Sequence, residues 1–258
     1  MSCPKREKAY WFFKLISYQP NCHFKVKSMG KFMIMARNRV IGYLKWIETI
    51  KIVKHKLLPM SWNIKCKRYF NEFYKSDILD VYIKKRYYHT IRHINYMLSY
   101  IKDFDLSKKE QAKLELAIWF HDFVYDSQKT NNETTSSLAF FYFGKKIGLK
   151  EKDNKEIRQL IIDTSHNKIP TTKLGKIICD LDLREFANDR QKLNAIEIRK
   201  EFSHLSDEEW DVRRKEFLTE ILLRKQIYNT ELYRNTLEHI ARENLINERN
   251  KLLKNGED

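Results

Sequence analysis

Glycine and proline are scarce, at six and four in 258 residues. Both punctuate turns, and an all-β fold needs many turns, so the shortage points away from a β-architecture and toward helices. Cysteine is equally thin. Cys3, Cys22, Cys66 and Cys179 are scattered, with no CxxC pair. That argues against a disulfide framework and a cysteine zinc site, and makes the cytoplasm or another reducing compartment the expectation. No run approaches the roughly 18 consecutive apolar residues of a membrane span. The first apolar patch, AYWFFKLISY, is broken by Lys14 and lacks the cleavage site of a signal peptide. A glycine-rich phosphate loop, a GxSxG elbow and a cysteine-centred nucleophile are also missing, which removes the common covalent and P-loop chemistries. There is no internal repeat and no low-complexity linker.

What is present divides near residue 60. Apolar residues make up 42% and charged residues 33%, ordinary values for a chain with a core. The net charge of +16 is unevenly spread. Residues 1–60 carry 13 Lys or Arg against two acids, Glu7 and Glu48, and so hold most of the excess. This basic extension reads as an arm for nucleic acid or an anionic membrane, as an organelle-targeting segment, or as a stretch ahead of an internal start such as Met60. Residues 61–258 are only mildly basic and read as one domain.

Within that domain the apolar spacing is helical. HTIRHINYMLSYIKDF sets Ile91, Ile94, Met97, Leu98 and Ile101 three and four apart. SKKEQAKLELAIWFHDFVYD opens on Ser107 with Glu110 three residues on, a capping box, and then turns strongly apolar. NNETTSSLAFFYFGKKIGL starts at Asn131 or Asn132 and ends near Gly148. EKDNKEIRQLIIDTSHNK forms a further helix that stops before Pro170. LGKIICDLDLREFAN reads as a buried helix, with a short strand as the alternative. DEEWDVRRKEFLTEILLRKQIY and NTELYRNTLEHIARENLINERNKLLK supply two more. The expected fold is an all-α bundle.

Three of the eight histidines fall within two of these helices. His89 and His93 are four apart, the spacing of one helix face and of many metal-binding helices. His121-Asp122 closes the apolar run LAIWF. A buried charged aspartate is costly unless it is paired or coordinates a metal; capping the end of its own helix is the plainer role. DTSHN adds His166, and CDLDL places Asp180 and Asp182 among Ile177, Ile178, Leu181 and Leu183. Imidazole and carboxylate together suit a divalent ion such as Mn²⁺, Fe²⁺, Co²⁺, Zn²⁺ or Mg²⁺.

This order, H…HD…D, resembles the HD superfamily of metal-dependent phosphohydrolases. YYHTIRHI, AIWFHDFVYD, NNETTS, LIIDTSHN, CDLDL, IRKEF and HIARENL together resemble one branch, the predicted metal-dependent HD phosphohydrolases, from about Trp62 to the C-terminal end. The branch reads Asp-Asn-Glu where Asn131-Asn132-Glu133 stands and Asp-Ala-Asp where Asp180-Leu181-Asp182 stands. Neither departure removes a ligand. The resemblance implies an HD-domain helical bundle. It implies metal ligands at His89, His121, Asp122 and Asp182, with His93 and Asp180 as supporting or alternative ligands. It implies hydrolysis of a phosphoester or phosphoanhydride bond, in a nucleotide or small phosphorylated metabolite, by a metal-bound water.

Asp122 then orients the water, and Glu133 and His166 serve proton transfer, a second metal or the leaving group. Glu133 otherwise suits the first turn of its helix and His166 the last. Phosphate needs positive charge, for which Arg92, Arg158 and Lys145 are the first choices, with Lys146, Arg184 and Arg199 beyond them; each is otherwise a solvated charge. Tyr88 or Tyr125 is able to stack on a base. Two rival readings remain. One is a non-catalytic module that binds metal and nucleotide, with the basic arm for docking. The other is an HD-fold di-iron oxygenase, which would draw on His93, Glu133 and His166.

Overall fold

The computed structural model describes Tyr82 and residues 86–254. The basic segment 1–60 lies outside the described residues. Among them there is no strand, and no helix is long and apolar enough to cross a membrane. The elements are α1 (Ile91–Ser99), α2 (Lys108–Phe120), α3 (Asn132–Lys146), α4 (Glu151–Asp163), α5 (Lys173–Leu183), α6 (Gln191–Glu201), α7 (Asp207–Leu223), α8 (Glu231–Thr236) and α9 (Glu238–Lys254). Short 3-10 turns follow α1 (Ile101–Asp103) and α5 (Arg184–Ala187).

α2 is the axis of the bundle. Ser107 caps it: its hydroxyl accepts from the Glu110 N–H at 3.3 Å, and the Glu110 carboxylate takes the Ser107 N–H at 2.8 Å. From Ala112 to Phe120 every residue is buried, because α1, α3, α4 and α5 all pack on it. A helix enclosed on all sides must neutralise any charge it carries. Lys113 accordingly meets Asp153 at 2.7 Å and also pairs with Glu156, both on α4.

α3 and α4 form an antiparallel pair. Gly148, at φ 73°, ends α3 with the Schellman pattern: Leu149 N–H reaches the Gly144 carbonyl at 2.9 Å and Gly148 N–H the Lys145 carbonyl at 3.1 Å. A Cβ on Gly144 would stand 2.4 Å from the Asn154 amide nitrogen, so any side chain there would have to displace the buried Asn154.

The second layer is α7, α8 and α9. α9 packs on α7, on α8 and on the turn after α5. Arg214 and Glu248, both largely buried, pair between α7 and α9 at 2.8 Å. This layer is tied to the first through Asp180. Its carboxylate accepts from Asn229 N–H (2.6 Å), Asn229 Nδ2 (3.0 Å), Thr230 N–H (2.7 Å) and Thr230 Oγ1 (2.6 Å), and so holds the start of α8 against α5.

Candidate metal centre

Three elements converge at one end of α2. α1 carries His93, fully buried. His121 is the C-cap residue of α2, and Asp182 stands near the end of α5. One donor atom from each lies within 4.8 Å of the other two. His93 Nε2 is 3.0 Å from Asp182 Oδ1, and His121 Nε2 is 3.6 Å from the same oxygen. Asp122 Oδ2 stands 2.9 Å from His121 Nε2.

The hydrogen bonds of His121 decide what this arrangement wants. Its Nδ1 donates to the Ile118 carbonyl at 2.9 Å. In the neutral ring that leaves Nε2 as a lone pair directed at two carboxylates. His121 Nε2 and Asp122 Oδ2 are both buried without a hydrogen-bond partner. Acceptors facing acceptors in a buried site require a positive charge between them. A divalent cation with imidazole and carboxylate ligands supplies it.

The electrostatics carry the same message. Burial disfavours charge on His93, yet Asp182 and Glu185 outweigh it and raise its pKa to about 9. Burial also opposes charge on His121, and Asp122 and Asp182 prevail, holding it well above the ordinary imidazole value. Against burial, hydrogen bonds from His121, His166 and His93 hold Asp182 well below the usual carboxylate range. Asp122 is likewise held down against burial by His121 and His89. The cluster attracts cations, protons included.

Around this core stand four supporting groups. His166 follows α4 with φ 55°, a left-handed backbone rare for a residue with a side chain. That bend brings its Nε2 to 2.8 Å from Asp182 Oδ2. Glu133, in the first turn of α3, is half-buried. Burial, then Asp122 and Asp182, raise its pKa above the ordinary value. Glu185 lies 3.9 Å from His93 Nδ1, on the side away from Asp182. Arg86 bridges the two histidine-bearing segments: Nη1 donates to the Asp122 carbonyl at 2.6 Å and Nη2 to the Phe123 carbonyl at 3.1 Å, with the His89 carbonyl 3.4 Å from Nη1.

His89 occupies a different position from the one its spacing implies. Thr90 is the N-cap of α1, so His89 precedes the helix and does not share the face of His93. Its Nδ1 donates to Glu201 at 2.6 Å. The other oxygen of Glu201 takes the backbone N–H groups of Tyr87, Tyr88 and His89 at 2.7, 2.8 and 3.1 Å. The imidazole stacks on Tyr125 with ring centroids 4.0 Å apart. The geometry thus puts His93 in the metal cluster and His89 beside it, in an imidazole–carboxylate pair.

Four other residues singled out in the sequence have partners elsewhere in the fold. Both oxygens of Asp180 are taken up by four donors on Asn229 and Thr230, so in this structure it anchors α8 to α5. Arg92 is committed to Asn194 at 3.1 Å and to Glu197, so it is paired inside the protein. Arg184 is also engaged, with its guanidinium 3.3 Å from the Tyr100 ring centroid and bonded to Tyr96. Arg199 pairs with Asp207. Arg158 and Lys145 lie on the α3–α4 flank. Arg86, Glu185 and Glu201 were not singled out individually by sequence reasoning; Glu201 stands within the IRKEF motif, the one signal able to find it.

No protein-family model, curated protein or solved structure matches the chain. The resemblance to the HD superfamily therefore rests on the motifs themselves, and the case for a metal centre on the geometry above.

Proposed function

We propose that this chain is a metal-dependent phosphohydrolase of the HD type, acting on a phosphoester or phosphoanhydride bond of a nucleotide or small phosphorylated metabolite. The observation that carries the reading is the cluster itself, with His93, His121 and Asp182 donors within 4.8 Å and an unpartnered, lone-pair-bearing His121 Nε2 facing the carboxylates. His93, His121 and Asp182 would hold a divalent ion such as Mn²⁺, Co²⁺, Fe²⁺, Zn²⁺ or Mg²⁺, with Asp122 completing the set. Such an ion, when bound, acidifies water and polarises a phosphoryl oxygen.

The remaining steps fall to this chain's own groups. Asp122 adjoins the cluster and Glu133 lies within its electrostatic reach, and either carboxylate would orient a water by accepting its hydrogen bonds. His89 is placed to exchange a proton, and gives one up from Nε2 only when both ring nitrogens carry one. Glu201 fixes its Nδ1–H, so Nε2 is the atom left to face a leaving-group oxygen. His166 braces the second oxygen of Asp182 and keeps the first turned toward His93 and His121.

The test compares the wild-type chain with Asp182→Ala. Bound metal is measured by elemental analysis, and phosphate release is followed on a panel of nucleotides and phosphomonoesters with each ion in turn. Metal retention and turnover in wild type alone support the reading. A wild-type protein that retains no divalent ion overturns it, and bound metal without turnover on any phosphate compound transfers the site to a binding role.

A further inference from the structure

Two cations that the metal centre does not use share one aromatic ring on the α3–α4 flank. The Arg158 guanidinium carbon is 4.9 Å from the Phe141 ring centroid, and Lys145 Nζ is 4.2 Å from the same point. The two charges are therefore no farther apart than those distances combined. Arg158 Nε donates to Ser137 Oγ at 3.3 Å, and among the described residues no other hydrogen bond and no carboxylate occupies its two Nη groups. Lys145 likewise has no carboxylate within reach among the described residues. Like charges at most that far apart repel, and contact with a ring face offsets only part of that. An anion would neutralise both.

The position of this pair relative to the metal centre follows from helix geometry. Glu133, Ser137, Phe141 and Lys145 succeed one another at four-residue intervals, one slowly winding row along α3. Glu133 begins the row within electrostatic reach of Asp122 and Asp182. Ser137 lies about 6 Å farther along the axis and Phe141 about 12 Å. The contacts of Gly144 with Asn154 and of Ser137 with Arg158 show the two helices running in opposite directions. Following that register back, the start of α3 and the end of α4, just before His166, lie at the same end as the metal cluster. Arg158 thus meets α3 about one helical turn past Glu133, and Lys145 lies about two turns beyond Ser137.

We propose that Lys145 and Arg158, the latter held in place by Ser137, form a second anion subsite that receives a phosphate of a substrate whose reacting phosphoryl group lies at the metal centre. This rests on the function proposed above and narrows its substrate to molecules with two separated phosphates. The chemistry fits phosphate: a guanidinium with its Nη pair open makes the bidentate contact that oxyanions favour. The ammonium adds a movable point charge. Ser137 is buried, and by accepting from Arg158 Nε it fixes the guanidinium.

The experiment titrates the Mn²⁺-loaded full-length chain with adenosine 5′-monophosphate and with adenosine 3′,5′-bisphosphate, by calorimetry. The pair differs by one phosphate. Wild type should bind the bisphosphate about tenfold more tightly or better, the yield of one well-placed charged contact. Arg158→Gln and Lys145→Gln should each remove most of that preference, with monophosphate affinity and bound metal unchanged. Equal affinity for the two nucleotides in wild type, or a preference that survives both substitutions, overturns the subsite. The same titration on Asp182→Asn protein separates this idea from the metal reading. An Arg158-dependent preference persisting there sustains the subsite whatever the metal result, and its absence there alongside equal wild-type affinities ends it.

Discussion

His89 and His93 show how little separates two histidines of one motif. Both belong to the motif HTIRH, and four-residue spacing gives them one face only if both are helical. Thr90, with φ −111° and ψ 176°, is extended, so the helix begins one residue too late to include His89. The sequence carries the pair but not the helix start, which depends on the Thr90 side chain taking the Arg92 N–H. The two roles part under mutation. Asp182→Asn should lose bound metal on dialysis and all turnover with it. Glu201→Gln should keep the metal, because it touches His89 and none of His93, His121 or Asp182. Its turnover should fall by about 10²–10⁴-fold, the usual worth of a placed proton donor. Elemental analysis beside phosphate-release kinetics reads both, and equal metal loss in the two variants would sink the division of labour. Arg86 belongs to the same argument. Its fork ties the carbonyls of Asp122 and Phe123 to the His89 segment, and it lies between the Tyr82 and Tyr125 rings, 5.1 and 5.6 Å from their centroids. Arg86→Gln should weaken metal affinity by about 10–100-fold, as loss of an outer partner does, with helical content unchanged. An unaltered affinity would make Arg86 a packing residue only.

Most of the helices were legible in the sequence because their apolar residues face inward, and α6 was not because its do not. Leu193 and Ile196 are 49% and 53% exposed, while Gln191, Asn194 and Glu201 are buried. α6 turns its polar face to the core to serve it. Glu201 holds His89, Asn194 donates to Glu185 and accepts from Arg92, and Gln191 meets Glu248. Periodicity reads hydrophobic burial, so a helix that buries hydrogen bonds is invisible to it. The end of α4 is hidden for a related reason. DTSHN gives no glycine at the left-handed position, and His166 adopts φ 55° because its bond to Asp182 and the Arg224 contact to its carbonyl hold it there. His166→Gly should therefore fold to within about 1 kcal/mol of wild type, since glycine takes that conformation without strain, while turnover drops. Urea unfolding paired with kinetics checks this, and undiminished turnover would remove His166 from the site. The α2–α4 contact answers to pH instead. Burial raises the Asp153 pKa, but Lys113 and Lys109 more than reverse it, leaving it below its ordinary 3.8. A lowered carboxylate stabilises the fold above about pH 3.8 and loses that contribution as pH falls through its folded value. Asp153→Asn should thus be destabilised by about 1–3 kcal/mol at pH 7, where it leaves Lys113 with Glu156 alone. The gap from wild type should close as urea unfolding is repeated toward pH 3. A gap that stays constant with pH would show that packing, not charge, is what the substitution disturbs.

The whole molecule is organised so that one ion would join what the chain keeps apart. His93, His121 and Asp182 come from α1, α2 and α5, and the partners of Asp182 and Asp122 add α3 and the end of α4. Asp180, two residues before Asp182, fastens the same helix to α8 and so to the outer layer. Two aspartates of one DLD motif thus face opposite ways, one toward the centre and one toward the C-terminal helices. Spacing alone told them apart only as a preference, because residues two apart on a helix point in widely different directions and the sequence does not say which direction is inward. An ion held by the cluster binds only the folded chain, because the three donors come from three separate helices. A ligand that binds only the folded state adds about 2.7 kcal/mol at a hundred times its Kd. For a domain of this size each kcal/mol moves the midpoint by about 2–4 °C. Adding saturating Mn²⁺ or Zn²⁺ to chelated protein should therefore raise the thermal midpoint by roughly 5–10 °C at pH 7. Circular dichroism at 222 nm follows it. The shift should vanish in Asp182→Asn, which loses the carboxylate shared by both histidines, and persist in Asp180→Asn, which destabilises the α5–α8 contact without touching the cluster. A wild-type shift that survives Asp182→Asn would place the ion elsewhere in the chain and dissolve the link between this cluster and catalysis.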